Sequence, residues 1–274
     1  FPTPMPKILV DAGVPLVSKL KLISWNVNSL RAREPLVQKL IEKENPDILC
    51  VQELKIDDGE YVDNFFTSYD YQTISQTQKS YNGVSISIKN QNSFKELKLS
   101  KLNDHQARNN TVIFEDKNIV LLNNYFPNGN PIDSEKFDFK KQWMDELYNE
   151  VKNLKKKYEI IITGDFNVIP EDDDAHDIKK YKKDALAQPE SRKEFYKYLN
   201  LDLLDVFKNQ PKNQSYTFFD YKTYKFGKEE GIRIDFFLTS PFLKSKVMKV
   251  KVLKEYREME RPSDHCPIMM QLNI

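Results

Sequence analysis

The run Ile160-Ile161-Ile162-Thr163-Gly164-Asp165-Phe166-Asn167 sets β-prone residues directly before a glycine, a carboxylate and an amide. Branched side chains pack well on a pleated surface, so the first half reads as a buried strand. The glycine then marks a turn. The polar residues behind it sit where loops held by a rigid scaffold gather chemistry. Upstream, Phe139, Trp143, Leu147, Val151 and Leu154 recur at three- and four-residue spacing, so 137–154 reads as a long amphipathic helix leading into this strand. Before that helix, Ile119 to Tyr125 is another apolar strand closing in Asn123, Asn124 and Tyr125.

The same pattern extends in both directions. Leu22 to Asn26 reads as a buried strand ending in polar residues, and Pro35 opens a helix with Leu36, Val37, Leu40 and Ile41 on one face. Asp47 to Gln52 is apolar on both faces, which suits a sheet interior. Gly83 to Lys89 and part of Thr111 to Glu115 alternate with period two. Glu190 to Leu199 reads as a helix, and Ile234 to Leu238 and Pro267 to Leu272 as closing strands. Many strands, few helices and no low-complexity linker or repeat over 274 residues predict one α/β domain of two packed sheets with helices outside. Sheet order does not follow from periodicity.

Lys and Arg number 42 against 41 Asp and Glu, so global charge points to no polyanionic partner. Any affinity for nucleic acid must come from a local basic face. Cys50 and Cys266 lie in apolar stretches without zinc spacing, as buried thiols of a reducing compartment would. No apolar run approaches the ~20 residues that span a bilayer. The first twenty residues lack the basic start and apolar core of a signal peptide, so the reading is a soluble cytoplasmic protein without a membrane partner.

Polar residues collect at strand ends. Asn26 and Asn28 follow the first strand, Gln52 and Glu53 end the second with Lys55 nearby, and Asp165 and Asn167 follow Thr163. Asp235 is embedded among Ile234, Phe236 and Phe237, where a carboxylate is costly unless paired, and His265 in Ser263-Asp264-His265 is a natural partner. Taken singly, Gly-Asp-Phe-Asn could be an Asx turn and Glu53 a solvated loop residue. Together these groups suit phosphodiester hydrolysis. Carboxylate and amide oxygens hold a hard cation such as Mg²⁺, and the reaction needs neutralised phosphate oxygens, activated water and a stabilised leaving oxygen.

The strings Ser24 to Ala32, Pro46 to Lys55, Asn124-Tyr125-Phe126-Pro127, Gly164 to Asn167, Gly231-Ile232-Arg233-Ile234-Asp235 and Arg261 to His265 resemble the exonuclease III family of abasic-site endonucleases. The likeness runs from about Lys21 to the C-terminus, which divides the chain into an extension of residues 1–20 and a catalytic domain of 21–274. It implies a deoxyribonuclease I-like α/β fold, a four-layer sandwich of two packed mixed β-sheets flanked by helices. It also implies roles. Glu53, helped by Asn26, would hold Mg²⁺, for which Mn²⁺ could substitute; Asp165, Asn167, Asp264 and His265 complete the expected metal surroundings. Asp165 would orient or deprotonate water, Asn167 would bond the phosphate, and Tyr125 would lie beside the phosphate or leaving group. His265, oriented by Asp235, would contact the phosphate, so the base is either Asp165 or the Asp235–His265 pair. Ile232 leans toward the bacterial branch, whereas Asp205-Val206-Phe207-Lys208 departs from the family's Asp-Ser-Phe-Arg.

The substrate so implied is double-stranded DNA with abasic sites or 3′ ends, cut 5′ to the lesion by a single-chain enzyme with accompanying 3′-5′ exonuclease and 3′-phosphatase activity. A baseless sugar calls for a small apolar pocket, for which Phe218, Phe219 and Ile232 are candidates, while Asn28 and Asn128 would reach DNA. The stretch Tyr221 to Lys228, aromatics interleaved with lysines, reads as a DNA loop, and the acidic Glu171 to Asp174 as solvent-facing. A superfamily phosphoesterase acting on lipid or inositol phosphates and an inactive DNA-binding module are the alternatives.

Overall fold

The computed structural model describes residues 18–222 and 230–274. Among these described residues, twelve strands form two six-stranded mixed sheets. In chain order they are β1 (Lys19–Asn26), β2 (Ile48–Gln52), β3 (Tyr71–Gln76), β4 (Val84–Lys89), β5 (Lys95–Glu96), β6 (Asn109–Phe114), β7 (Ile119–Tyr125), β8 (Glu159–Asp165), β9 (Leu204–Asp205), β10 (Asp235–Thr239), β11 (Val247–Val252) and β12 (Ile268–Asn273). The first sheet runs β11-β12-β1-β2-β4-β3 and the second β5-β6-β7-β8-β10-β9. The helices that cover them are α1 (Leu30–Glu44), α2 (Gly59–Thr67), α3 (Glu135–Leu154) and α4 (Pro189–Leu199).

Three apolar clusters give the layers. Leu22, Ile48, Cys50, Leu121, Ile161 and Phe237 meet between the sheets. On the outer face of the first sheet, Ile23, Leu49 and Val51 pack against Leu36, Val37 and Leu40 of α1 and against Val62 and Phe66 of α2. Val120, Ile160 and Ile162 pack against Trp143 and Leu147 of α3 and Phe195 of α4 on the far side. The result is the four-layer α/β sandwich. Both cysteines are free and buried within it. No helix among the described residues is long and apolar enough to cross a membrane.

Two boundaries differ from the sequence reading. Helix α1 starts at Leu30, five residues before Pro35, because the Ser29 hydroxyl accepts from the Ala32 amide and supplies the cap. Pro35 is tolerated inside the helix. Strand β1 begins at Lys19 and pairs with Asn273, so the domain's first strand enters the last two residues of the expected extension. Strand β11 also escaped notice; its Val-Met-Lys-Val-Lys-Val alternation is that of an edge strand guarded by lysines.

Register brings the polar strand ends together. Parallel pairing of β7 and β8 sets Tyr125 opposite Asp165, antiparallel pairing of β8 and β10 sets Asp165 opposite Asp235, and parallel pairing of β1 and β2 sets Asn26 opposite Gln52. Gly164 makes the first of these possible. Its φ is +128°, and a Cβ there would meet the Asn124 carbonyl oxygen at 1.9 Å. Replacing Gly164 with Ala forces both a disfavoured conformation and a backbone collision. Urea denaturation of G164A is expected to show a loss of about 3 kcal/mol or more; a loss below about 1 kcal/mol would mean that β7 and β8 can separate freely at this point.

Candidate active site

Five non-glycine residues around these strand ends adopt left-handed backbone: Asn28 (φ 46°), Ser29 (86°), Glu53 (54°), Lys55 (55°) and Asn167 (46°). Such conformations cost on the order of 1–3 kcal/mol each and persist where surrounding bonds over-determine them. Here the bonds are visible. The Ser29 amide donates to the Glu53 carbonyl at 2.8 Å, and the Lys55 amide to that of Asn82 at 2.9 Å. The Asn167 amide donates to Asp165 Oδ1 at 2.9 Å.

Asp165 is 1% exposed and lies at the junction of two groups. On one side Asn26 Nδ2 bridges Asp165 Oδ2 at 3.0 Å and Glu53 Oε1 at 2.9 Å. On the other, His265 Nε2 stands 3.5 Å from Asp165 Oδ2, and His265 Nδ1 stands 2.8 Å from Asp235 Oδ2. Asp235 accepts a further bond from the Thr217 hydroxyl at 2.6 Å. The ring is steered from behind as well: Trp25 Nε1 donates to the His265 carbonyl, the His265 amide donates to Ser263 Oγ, and Ser263 Oγ donates to the Asn26 carbonyl. Phe218 stands edge-on to the imidazole at 5.1 Å.

Glu53 Oε2 pairs with Lys55 Nζ at 3.2 Å, and Lys55 donates on to Asn28 Oδ1 at 2.6 Å. The Tyr125 phenol lies within the field of the Glu53 carboxylate. Arg108 holds this tyrosine from the other face, its guanidinium 4.9 Å from the ring centre and donating to the Tyr125 carbonyl at 3.2 Å. Sequence reading passed over Arg108, which belongs to no short motif whose spacing announces it, and took the Tyr216 to Phe219 stretch only for its pocket aromatics. Arg108 reaches the site only because Asp104 accepts the backbone amides of Arg108 and Asn109, both at 2.8 Å, and folds the loop before β6.

Burial sets the ionisation of the cluster. It raises the Asp165 carboxyl well above the carboxylate range; the like charges of Asp235 and Glu53 push the same way, and His265 only partly offsets them. At His265 burial opposes the charged ring, but Asp235 and Asp165 outweigh it and hold the imidazole well above its ordinary value. The Tyr125 phenol is raised well above its ordinary value by burial, with Glu53 and Asp165 adding to it.

Glu53, Asp165 and His265 offer one ligand atom each within 4.8 Å of one another, a donor set able to hold a metal ion. The oxygen donors are those a hard divalent cation takes. The wider expected set is modified. Asn26 turns its NH₂ group toward the two carboxylates while its Oδ1 accepts from the Asn28 amide at 3.0 Å. Asn167 donates Nδ2 to the Phe126 carbonyl at 2.8 Å. Asp264 is outside the three-residue cluster, and its carbonyl accepts from the Phe219 amide.

Among the pocket candidates, Phe218 stays half-buried and bridges Ile232 and His265 through paired backbone. Ile232 lies beneath it, 2% exposed, among Ile169, Ala175 and Ile234. Phe219 is a correction: it is 1% exposed and belongs to the core between the sheets, packed so tightly on Gly231 that a Cβ there would meet Phe219 Cε1 at 2.6 Å. Asn128 is exposed on a groove of about 440 Å³ shared with Tyr81, Arg108, Tyr125 and Lys136. Asn28 Nδ2 meets the Tyr221 hydroxyl at 3.2 Å, which anchors the start of the expected DNA loop; residues 223–229 of that loop lie outside the described residues.

Residues 23–265 match the model of the Endonuclease/Exonuclease/phosphatase family. Exodeoxyribonuclease III of Haemophilus influenzae is 30% identical over 264 residues, covering 91% of this chain and 98% of that protein. The 3′ phosphatase NExo from Neisseria, solved bound to a product DNA hairpin, superposes with a TM-score of 0.85 at 32% identity, covering 93% of this chain and 100% of that one. An AP endonuclease from Archaeoglobus fulgidus gives a TM-score of 0.85 at 29% identity with the same coverage.

The direction of the shifts predicts how metal and pH act together on stability. Asp165 and His265 both bind protons more tightly folded than unfolded, so each favours the folded state below its unfolded pKa, about 4 and 6.5 respectively. That contribution is lost as pH rises through the folded values. A divalent cation replaces the lost protons. The rise in Tm on adding Mg²⁺ is therefore expected to grow between pH 5.5 and 8, measured by differential scanning fluorimetry, and an increment that shrinks over that interval would contradict the assignment of this cluster.

Proposed function

The chain belongs to the Endonuclease/Exonuclease/phosphatase family, and on that premise we propose that it is a Mg²⁺-dependent DNA repair nuclease hydrolysing phosphoester bonds at abasic sites and 3′ ends of duplex DNA. The observation that carries this reading is the position of the Asp165 carboxylate, between Glu53 on one side and the His265–Asp235 pair on the other. Glu53 and Asp165 would hold the cation, with His265 at its edge. When bound, Mg²⁺ supplies charge that neutralises the phosphate oxygens and the developing charge on the leaving oxygen.

The protein's own groups account for the rest. His265, oriented through Nδ1 by Asp235, would donate from Nε2 to a phosphate oxygen. Asp165 would receive the proton of the attacking water, its Oδ2 steadied by Asn26 and its Oδ1 by the Asn167 amide. Asn167 keeps one amide hydrogen on the Phe126 carbonyl, which fixes the plane in which its second hydrogen meets the phosphate. Tyr125, with its proton retained, donates on the leaving-group side. The Phe218 edge over Ile232 gives an apolar wall for a sugar that lacks its base.

The three relatives named above carry DNA-directed names or DNA itself, which supports this reading over lipid or inositol phosphates. The assembled acidic and imidazole groups argue against an inactive binding module. The test is one set of labelled duplexes: an internal stable abasic analogue, a recessed 3′ end and a 3′-phosphate. We expect Mg²⁺-dependent incision 5′ to the abasic analogue and turnover at the 3′ ends, lost with EDTA and reduced roughly 100-fold or more by Asp165→Asn. An enzyme silent on all three duplexes, yet active on a phospholipid or inositol phosphate, would overturn the DNA reading. Silence on the abasic duplex alone would restrict the activity to 3′ ends.

A further inference from the structure

Lys140 is 0% exposed, on the core-facing side of α3 with Phe137, Trp143, Met144 and Leu147. Fully buried lysines are rare and costly unless paired. Among the described residues no carboxylate lies within salt-bridge distance of it. Its ammonium donates instead to two main-chain carbonyls, Asn167 at 2.5 Å and Asn128 at 3.1 Å. These two residues flank the catalytic cluster from different loops, one after β8 and the other after β7.

The surroundings are shaped to this side chain. Gly129, between the pinned Asn128 and Asn130, has φ +86°, and a Cβ there would meet Lys140 Cδ at 2.6 Å. Asn130 then carries the tie outward: its Oδ1 accepts from the Ala185 amide at 2.8 Å and its Nδ2 donates to Asp184 at 3.0 Å. Asn167 is thereby fixed at three points: its amide on Asp165, its side chain on Phe126 and its carbonyl on Lys140. Its left-handed φ of 46° is the conformation these bonds over-determine.

An apolar side chain of similar length would fill the same space without burying a charge, and such replacements are often neutral or stabilising. Packing alone does not account for an ammonium here. We infer that Lys140 is a positioning residue, clamping the Asn128 and Asn167 loops so that the Asn167 amide and the Asp165 carboxylate hold their reacting geometry. The inference rests on the phosphoester-hydrolysis reading for its kinetic consequence, though not for its structural one.

The test compares wild type with Lys140→Met and Lys140→Arg. Thermal unfolding of K140M is expected to stay within a few degrees of wild type. Amide hydrogen exchange should rise at least about tenfold at residues 126–130 and 165–168 and remain unchanged in the paired strands β2 and β4. On the recessed 3′-end duplex, kcat should fall about 10- to 100-fold with KM within about threefold, because the loss is of geometry in the transition state and not of binding. K140R, which can still donate to both carbonyls, should recover most of the activity. Unchanged exchange in K140M overturns the clamp whatever the enzyme's substrate. Increased exchange with wild-type kcat overturns the positioning role. Wild-type inactivity on DNA would overturn the functional reading alone, leaving the exchange result to decide the clamp.

Discussion

Three carboxylates and an imidazole share one buried cluster, and their mutual charge is the constraint around which this molecule is organised. Like charges in a poorly solvated space repel strongly, so the arrangement survives only if each is answered. Glu53 is answered by Lys55, Asp235 by Thr217 and the His265 ring, and Asp165 by Asn26, the Asn167 amide and Nε2 of the same ring. The balance is incomplete at Asp165, whose proton affinity stays high. The residual repulsion is what makes the cluster receptive to a cation, since a bound cation relieves a penalty already present in the protein.

Such a cluster demands precise strand ends. Two sheets packed face to face supply them, because β1 and β2 of one sheet and β7 and β8 of the other end at the same rim, where β10 begins. The loops that follow are short and strained, with left-handed residues at Asn28, Glu53, Lys55 and Asn167. Rigid strands place the side chains roughly; the over-determined loops place them to fractions of an ångström. Lys140 extends the same logic below the rim, where main-chain carbonyls and not side chains are the partners.

Much of this was legible in the sequence. Strands read over 119–125, 160–163 and 234–238 announce themselves through apolar runs, and the polar residues set against those runs, Tyr125, Asp165 and Asp235 among them, are where the structure brings three of the strands side by side. What could not be read falls into two kinds. Orientation is one: nothing in Asn26 says that its amide faces the carboxylates nitrogen first, nor in Phe219 that it turns to the core while Phe218 turns to the site. Long-range partnership is the other. Arg108 and Lys140 look like ordinary polar residues until sheet pairing and helix packing bring them to Tyr125 and Asn167.

Charge distribution shows the same dependence on folding. With a formal net charge of +1, the chain has no excess of cations to draw a polyanion. The acidic run Glu171 to Asp174, which read as a solvent-facing repulsive patch, is in part folded inward. Asp174 is 0% exposed and pairs with Arg233 at 2.7 Å and Lys212 at 2.9 Å, Arg233 also binds Asp205, and Arg192 takes Asp172. The arginine of the Gly-x-Arg-Ile-Asp element is thus a structural bridge that sets the start of β10, and through it Asp235. Drawing these acids into pairs reduces the negative field beside the cluster, while Arg108 and Lys136 remain in the groove next to Tyr125. In a nearly neutral chain, attraction of an anion then depends on the local placement of cations beside the acidic cluster and not on net charge, which ionic screening confines to short range.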